Sequence, residues 1–259
     1  MWKTQPHPYG TLHFIAIGFM VICAAVGIYL GIKYKGNKYD KSRDKALSTL
    51  GFVIIGLEAF KIIFRIATHE NVDLTLISFQ ICSIPMYLLP WIAYMKEGKL
   101  KKAFLGYVSF QAFVSAFFYF VKPNAIFTTK YVIISLHSIV WHSLLVAMSL
   151  FVMVSYGLLS KKGREYLILG NLLWIGTAFI AMILDVILRK AVPGSAVDLF
   201  YIAPGSTFKY PLLSLIFPKP EPYALYFVSF LIYYTLGCII IYSVGCGITA
   251  LATRGKRKN

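Results

Sequence analysis

Acidic residues are scarce in this chain: ten Asp and Glu stand against 26 Lys and Arg in 259 residues, and charged residues make up 14%. A soluble domain carries roughly 25% charged residues. With 58% hydrophobic residues and a mean hydropathy of +0.70, a water-soluble fold is excluded. Paired cysteines are missing too. Cys23, Cys82, Cys238 and Cys246 all fall in apolar runs and form no CxxC, which argues against a disulfide framework or a zinc knuckle. The opening MWKTQPHPYG lacks the basic stretch and small-residue cleavage site of a leader, so the first apolar run is expected to stay as a helix. Internal repeats, coiled-coil heptads and a polar linker long enough to separate two domains are likewise lacking. One membrane domain over residues 1–259 is expected.

What the chain has is apolar runs of about 20 residues, the length that crosses a bilayer as helix. Seven are expected, over about 11–32, 48–68, 74–94, 103–121, 132–158, 168–188 and 224–251. The fold class is therefore all-α, a bundle of seven transmembrane helices. The net charge of +16 does not point to nucleic acid, because the basic residues lie in short loops between spans and read as topology signals and contacts to anionic headgroups. KYKGNKYDKSRDK, KEGKLKK, KKGRE and the tail RGKRK are strongly basic, whereas the N-terminal segment and the second and fourth loops are not. The excess of Lys and Arg puts the N-terminus outside and the C-terminus in the cytoplasm of a cell membrane. The sixth loop, 189–223, is long, with prolines at 193, 204, 211, 218, 220 and 222 and the apolar runs DLFYIAP and YPLLSLIF. Prolines block regular helix and so apolar a linker is uncommon in water. The loop is expected to fold back over the outer mouth of the bundle or to lie in the interface.

Ionisable and amide side chains inside the membrane are functional candidates. Counting 1.5 Å per residue, Glu58, Lys61 and Arg65 lie about 15, 10 and 5 Å from the outer end of the second helix, on one face. Cys82 lies about 12 Å down the third span, and His137 and His142 about 8 and 15 Å down the fifth. Gln80 neighbours Cys82, Gln111 is at mid-depth on the fourth span and Asp185 near the outer end of the sixth. This shared depth predicts a polar cavity in the outer half of the bilayer. The plainer alternative is a structural network in which Glu58 pairs with Lys61 and Arg65 with Asp185. His142 shares a face with Ser135, Ser138 and Ser149, His137 with Ile134, Trp141, Leu144 and Met148, so His142 is the better candidate for chemistry. Two histidines five apart do not suit one metal ion, and no facing pair suits haem. Neither a metal nor a cofactor is expected.

The stretch SFQICSIPMYLLP, residues 78–90, holds the most unusual mixture. As a helix it would kink at Pro85, which cannot donate to the carbonyl of Ile81, and the kink would widen the backbone beside Cys82. A thiol becomes a nucleophile when a base such as imidazole takes its proton, and Cys82 and His142 are at similar depth. Against this, a membrane cysteine is commonly inert and an intramembrane histidine commonly structural.

Together with LHSIVWHSLL and DLFYIAPG…YPLLSLIFPKPEPYALYF, that stretch resembles the YwaF-like family of bacterial integral membrane proteins, from the second helix to the last. That family is distantly similar to a eukaryotic seven-helix Cys/His phospholipid acyltransferase. The resemblance implies Cys82 as acyl-accepting nucleophile and His142 as its base. It also implies an Asn near the end of the sixth helix, where this chain has Asp185. The expected function is thus a membrane-embedded lipid acyltransferase or related acyl-thioester enzyme, with phospholipid as partner and Gln80, Glu58, Lys61, Arg65, His137, Gln111 and Asp185 as substrate-binding candidates. A small-solute transporter or substrate-binding membrane subunit is the alternative, although no inverted repeat supports it. An accessory subunit of a membrane complex is a third.

Overall fold

The computed structural model describes residues 9–70, 74–123, 127, 131–195, 197–203, 210, 213–217 and 222–256. The regular elements among these residues are all helical. Six helical stretches are long and apolar enough to span a membrane. They are α1 (Thr11–Lys33), α2 (Asp40–Ala67), the continuous run of α4 (Lys99–Gly106), a π-helical turn (Tyr107–Gln111) and α5 (Ala112–Val121), then α6 (Val132–Ser155), α7 (Gly163–Ala191) and α9 (Tyr223–Lys256). Phe14, Ile15, Ile22 and Tyr29 of α1 and Ile183 and Ile187 of α7 face outward, as expected where lipid tails are the solvent. The hub is α6, against which α1, α2 and α5 all pack.

Close helix crossings come from small residues, which let backbones approach where lipid supplies no hydrophobic drive for association. Gly27 and Gly31 of α1 form a GxxxG pair seated on α6: a Cβ at Gly27 would overlap the backbone of Ala147, and one at Gly31 would meet Val154. Gly106 and Gly170 likewise bring α4 onto α7: a Cβ at Gly106 would overlap the backbone of Tyr166, and one at Gly170 the backbone of Gly106.

The third span, expected as a kinked helix over 74–94, is not a continuous helix. A single 3-10 turn at Leu74–Leu76 is followed by irregular backbone up to Ser83, the short helix α3 (Ile84–Leu88) and a 3-10 stretch over Leu89–Tyr94. Pro85 therefore does not kink a helix but sits in the first turn of one, where its missing N–H costs nothing and its fixed φ suits the start. The segment nevertheless runs beside α2, from Ser78, bonded to Glu58, to Ala93, whose N–H donates to Ser48 Oγ at 2.9 Å, and on to Lys101, paired with Asp44. Irregular backbone inside a membrane needs protein partners for its polar groups. Aromatic donors supply them: Tyr87 to Ser78 O at 2.9 Å, Tyr107 to Ile81 O at 3.2 Å and the Trp141 indole to Cys82 O at 3.3 Å.

Six long apolar helices and the 74–94 segment, which runs beside α2, leave the described ends of the chain at opposite ends of the bundle. His13 of α1 bonds Phe120 O at the end of α5, while Tyr242 of α9 bonds Ser160 O beyond the far end of α6. Of the sixth loop, 192–195, 197–203, 210, 213–217 and 222 are described, and prolines 204, 211, 218 and 220 lie outside the described residues. The described part folds back into the bundle, burying Val197, Leu199, Phe200 and Ile202.

Candidate functional site

Where the irregular segment replaces helix, α2, α5, α6 and the sixth loop stand apart around a polar chamber of about 300 Å³. Seven of the nine expected site residues line it: Glu58, Lys61, Arg65, Gln80, Cys82, His137 and His142. The other two are elsewhere. Gln111, in the π-helical turn, joins its amide to that of Asn171 at 2.9 Å and takes the Tyr234 hydroxyl on its carbonyl at 2.7 Å, tying α7 and α9 together. Asp185 accepts the Leu199 N–H at 2.8 Å and so anchors the sixth loop. Depth had grouped them with the rest, but the Gln111 side chain turns to α7 and that of Asp185 to the sixth loop, and neither lines the chamber.

The charged face of α2 is partly paired. Buried Glu58 accepts from Ser78 Oγ and forms an ion pair of 2.6 Å with Lys61. The expected Arg65–Asp185 pair does not form; Arg65 Nε donates to Glu70 O at 3.2 Å. Lys61 also reaches Ser78 Oγ at 3.4 Å, so one cluster of carboxylate, ammonium and hydroxyl borders the cavity.

The two histidines are separated by their hydrogen bonds. A carbonyl oxygen only accepts, so His137 Nε2–H donates to Leu57 O at 3.0 Å, and the ring ties α6 to α2. His142 Nδ1–H donates to Ser138 O at 2.7 Å, one turn back on its own helix. That bond selects the tautomer whose Nε2 carries a lone pair, and Nε2 is buried with no hydrogen-bond partner. An imidazole held in this way is arranged as a base. The wide chamber reaches both histidines although 140° separates them on α6.

Cys82 is buried. No hydrogen bond joins it to His142 in this state, since Nε2 is unpartnered. Tyr119 adjoins both: its ring stacks on His142 with centroids 3.8 Å apart, and its hydroxyl stands against the thiol. That hydroxyl also shares a 3.1 Å hydrogen bond with Tyr201 from the sixth loop. Phe200 and Tyr201 adopt positive φ, 55° and 56°, a backbone region costly for bulky residues and found where surroundings enforce it. Gln80 Nε2 donates to Asp198 O at 2.8 Å, fastening the same loop to the irregular segment.

Beyond Cys82 lies a second, narrow and almost wholly apolar cavity of about 40 Å³, reaching Ile81, Phe118, Tyr210 and Tyr234. Gln80, Cys82, Tyr119 and Tyr201 belong to the walls of both cavities. The thiol therefore sits where a polar space meets an apolar one. Tyr119, Tyr201, Ser78 and Asp198 were not among the expected site residues. By count Tyr119 lies only about 3 Å from the outer end of its span, so depth did not single it out, and nothing in its spacing marks Tyr201. Among the described residues no cluster of His, Cys, Asp and Glu is arranged to hold a metal ion.

Residues 8–242 match the model of the TMEM164 family, a family of membrane proteins. No curated protein and no solved structure matches the chain. The YwaF-like resemblance drawn from the motifs is not among these findings.

Proposed function

The chain belongs to the TMEM164 family, and on that premise we propose that it is a membrane-embedded acyl-transfer enzyme acting on phospholipid through Cys82, with His142 as base. The observation that carries this reading is the position of Cys82 between a polar chamber and an apolar cavity, in the same chamber as an imidazole nitrogen with no partner. A lipid ester would set its head and carbonyl in the polar space, with the apolar cavity of about 40 Å³ taking only the first carbons beside the carbonyl.

The chemistry follows from these groups. His142 Nε2 takes the thiol proton, directly after a small approach of the side chains or through chamber water; catalytic contacts are often long in an unliganded site. The thiolate attacks the carbonyl carbon of an ester-linked acyl chain, with the Tyr119 hydroxyl placed to donate to the oxyanion. The adduct collapses to a Cys82 thioester, and the lysolipid alkoxide leaves with the proton from the imidazolium. A second lipid hydroxyl then loses its proton to the same nitrogen and attacks the thioester, which forms the new ester and returns the thiolate to be reprotonated. Lys61 and Arg65 at the chamber wall suit a lipid phosphate. Extracytoplasmic placement of the chamber, in a cell membrane, follows from the basic loops at the opposite end.

The test is reconstitution with an ester-labelled phospholipid and a lysolipid acceptor, reading transfer and any thioester on Cys82 by mass spectrometry. Cys82→Ala is expected to lose the adduct and at least about 100-fold of the transfer, and His142→Gln about 100-fold or more. Wild-type transfer by Cys82→Ala would sink the reading. The Glu58–Lys61–Ser78 cluster favours a second one, a transporter or substrate-binding subunit for a small charged solute. In that case Lys61→Met abolishes solute uptake while Cys82→Ser leaves it intact.

A further inference from the structure

A cavity of about 470 Å³ lies between α1, α2 and α6, towards the end of the bundle opposite the chamber. It exists because consecutive helices follow different partners. The glycines of α1 draw it onto α6, while α2 packs along the 84–94 segment, with Gly51 against Pro90. The gap left between α1 and α2 is walled by Val26, Leu30, Ala46, Leu50, Leu144 and Met148. So apolar a space has too few polar partners to hold ordered water. In a bilayer a hydrocarbon chain is the available filling.

The gap ends at a charged group. Arg43, only 5% exposed, lines both this cavity and an adjoining polar one of about 220 Å³. Its guanidinium donates to Ser155 O at 2.8 Å and Gly36 O at 3.2 Å and pairs with Asp40, while its Nε–H has no partner. The acids around the polar cavity are engaged: Asp40 by Arg43, and Asp44 and Glu97 by Lys101. Lys35 and Lys162, which line the same cavity, form no ion pair among the described residues. Lys33 and Lys38 stand nearby over Tyr34 and Tyr39. An apolar slot thus opens towards a surplus of cations.

We propose that this cleft is a binding site for one anionic phospholipid, its acyl chain between α1 and α2 and its phosphate at Arg43, Lys35 and Lys162. The site is separate from Cys82 and does not depend on the acyl-transfer reading. Juxtamembrane lysines attract anionic lipid, and here a shaped apolar slot adds retention that a general basic surface lacks.

The full chain, purified in mild detergent, is titrated with dioleoylphosphatidylglycerol, dioleoylphosphatidylcholine or inorganic phosphate, with bound mass read by native mass spectrometry. One equivalent of phosphatidylglycerol is expected to remain, with phosphatidylcholine and phosphate at least tenfold weaker. Lys35→Gln and Lys162→Gln are each expected to weaken retention about fivefold. Ala46→Phe, at an exposed position on the gap wall, is expected to displace the chain while leaving elution monodisperse. Cys82→Ala, whatever it does to transfer, is expected to retain phosphatidylglycerol as the wild type does. Equal retention of both lipids, or wild-type retention by Ala46→Phe, means annular lipid only and overturns the site.

Discussion

At the scale of single residues, the candidate chemistry rests on one imidazole nitrogen left without a hydrogen-bond partner. His142 is set apart from His137 by what its Nε2 does, since His137 uses Nε2 to hold Leu57 O and His142 keeps Nε2 buried and unpartnered. The face argument from the sequence reached the same residue by a different route, from the serines sharing its helical stripe. Cys82 was legible because a thiol beside a glutamine and two prolines is unusual in an apolar run. Tyr119 was hidden among 18 tyrosines, and only packing sets its ring on His142. If its hydroxyl supports the oxyanion, Tyr119→Phe lowers the transfer rate about 100-fold with little change in lipid affinity, because the ring and its stacking remain. A rise in KM with unchanged kcat would instead assign Tyr119 to binding alone.

At the scale of elements, helices whose apolar run is uninterrupted were readable from length and composition, although α2 begins at Asp40 and α7 at Gly163, well before the runs expected from 48 and 168. The 74–94 segment was not, because hydropathy reports that a segment is apolar enough to cross, not that it is helical. Whether such backbone unwinds depends on partners elsewhere in the chain, here Tyr87, Tyr107 and Trp141. The kink assigned to Pro85 is, in consequence, a helix start. Helix α1 shows the reverse case: its packing is written in the local motif Gly27-x-x-x-Gly31. Gly27→Leu places a side chain against the Ala147 backbone and is expected to destabilise the α1–α6 pair by roughly 1–3 kcal/mol. Denaturant titration in detergent checks this, with Gly18→Leu, where no neighbour lies within 4 Å, as the neutral control.

At the scale of the whole molecule, the described ends of the chain lie at opposite ends of the bundle, and the basic loops gather where α1, α4, α6 and α7 begin or end. Arg43 and Lys101 convert part of that charge into structure, bonding Ser155 O and pairing with Asp44. In the proposed orientation, with the basic loops in the cytoplasm, the chamber faces the outer side. A cysteine introduced at Lys99 is expected to be labelled by an impermeant maleimide only after the membrane is opened, and one at Glu70 in intact cells, in a Cys-less background. The opposite pattern reverses the orientation. It would also move the lipid-accessible side of Cys82 to the cytoplasm.

Composition and hydropathy by themselves determined the membrane class, the helical spans and the common depth of the polar groups, because each of these depends on summed or periodic local properties. Tertiary structure alone decided which of those groups meet. Gln111 and Asp185 were counted with Cys82 in the outer half but turn to α7 and to the sixth loop, whereas Tyr201 reaches the chamber from a loop whose fold is set by Asp185, Gln80 and two residues at positive φ. The physical reason is that depth follows from counting along one chain. The direction in which a side chain faces depends on which elements pack beside it, and the unwound segment at 77–83 exists only because three aromatic residues, from 9 to 59 positions away, satisfy its carbonyls.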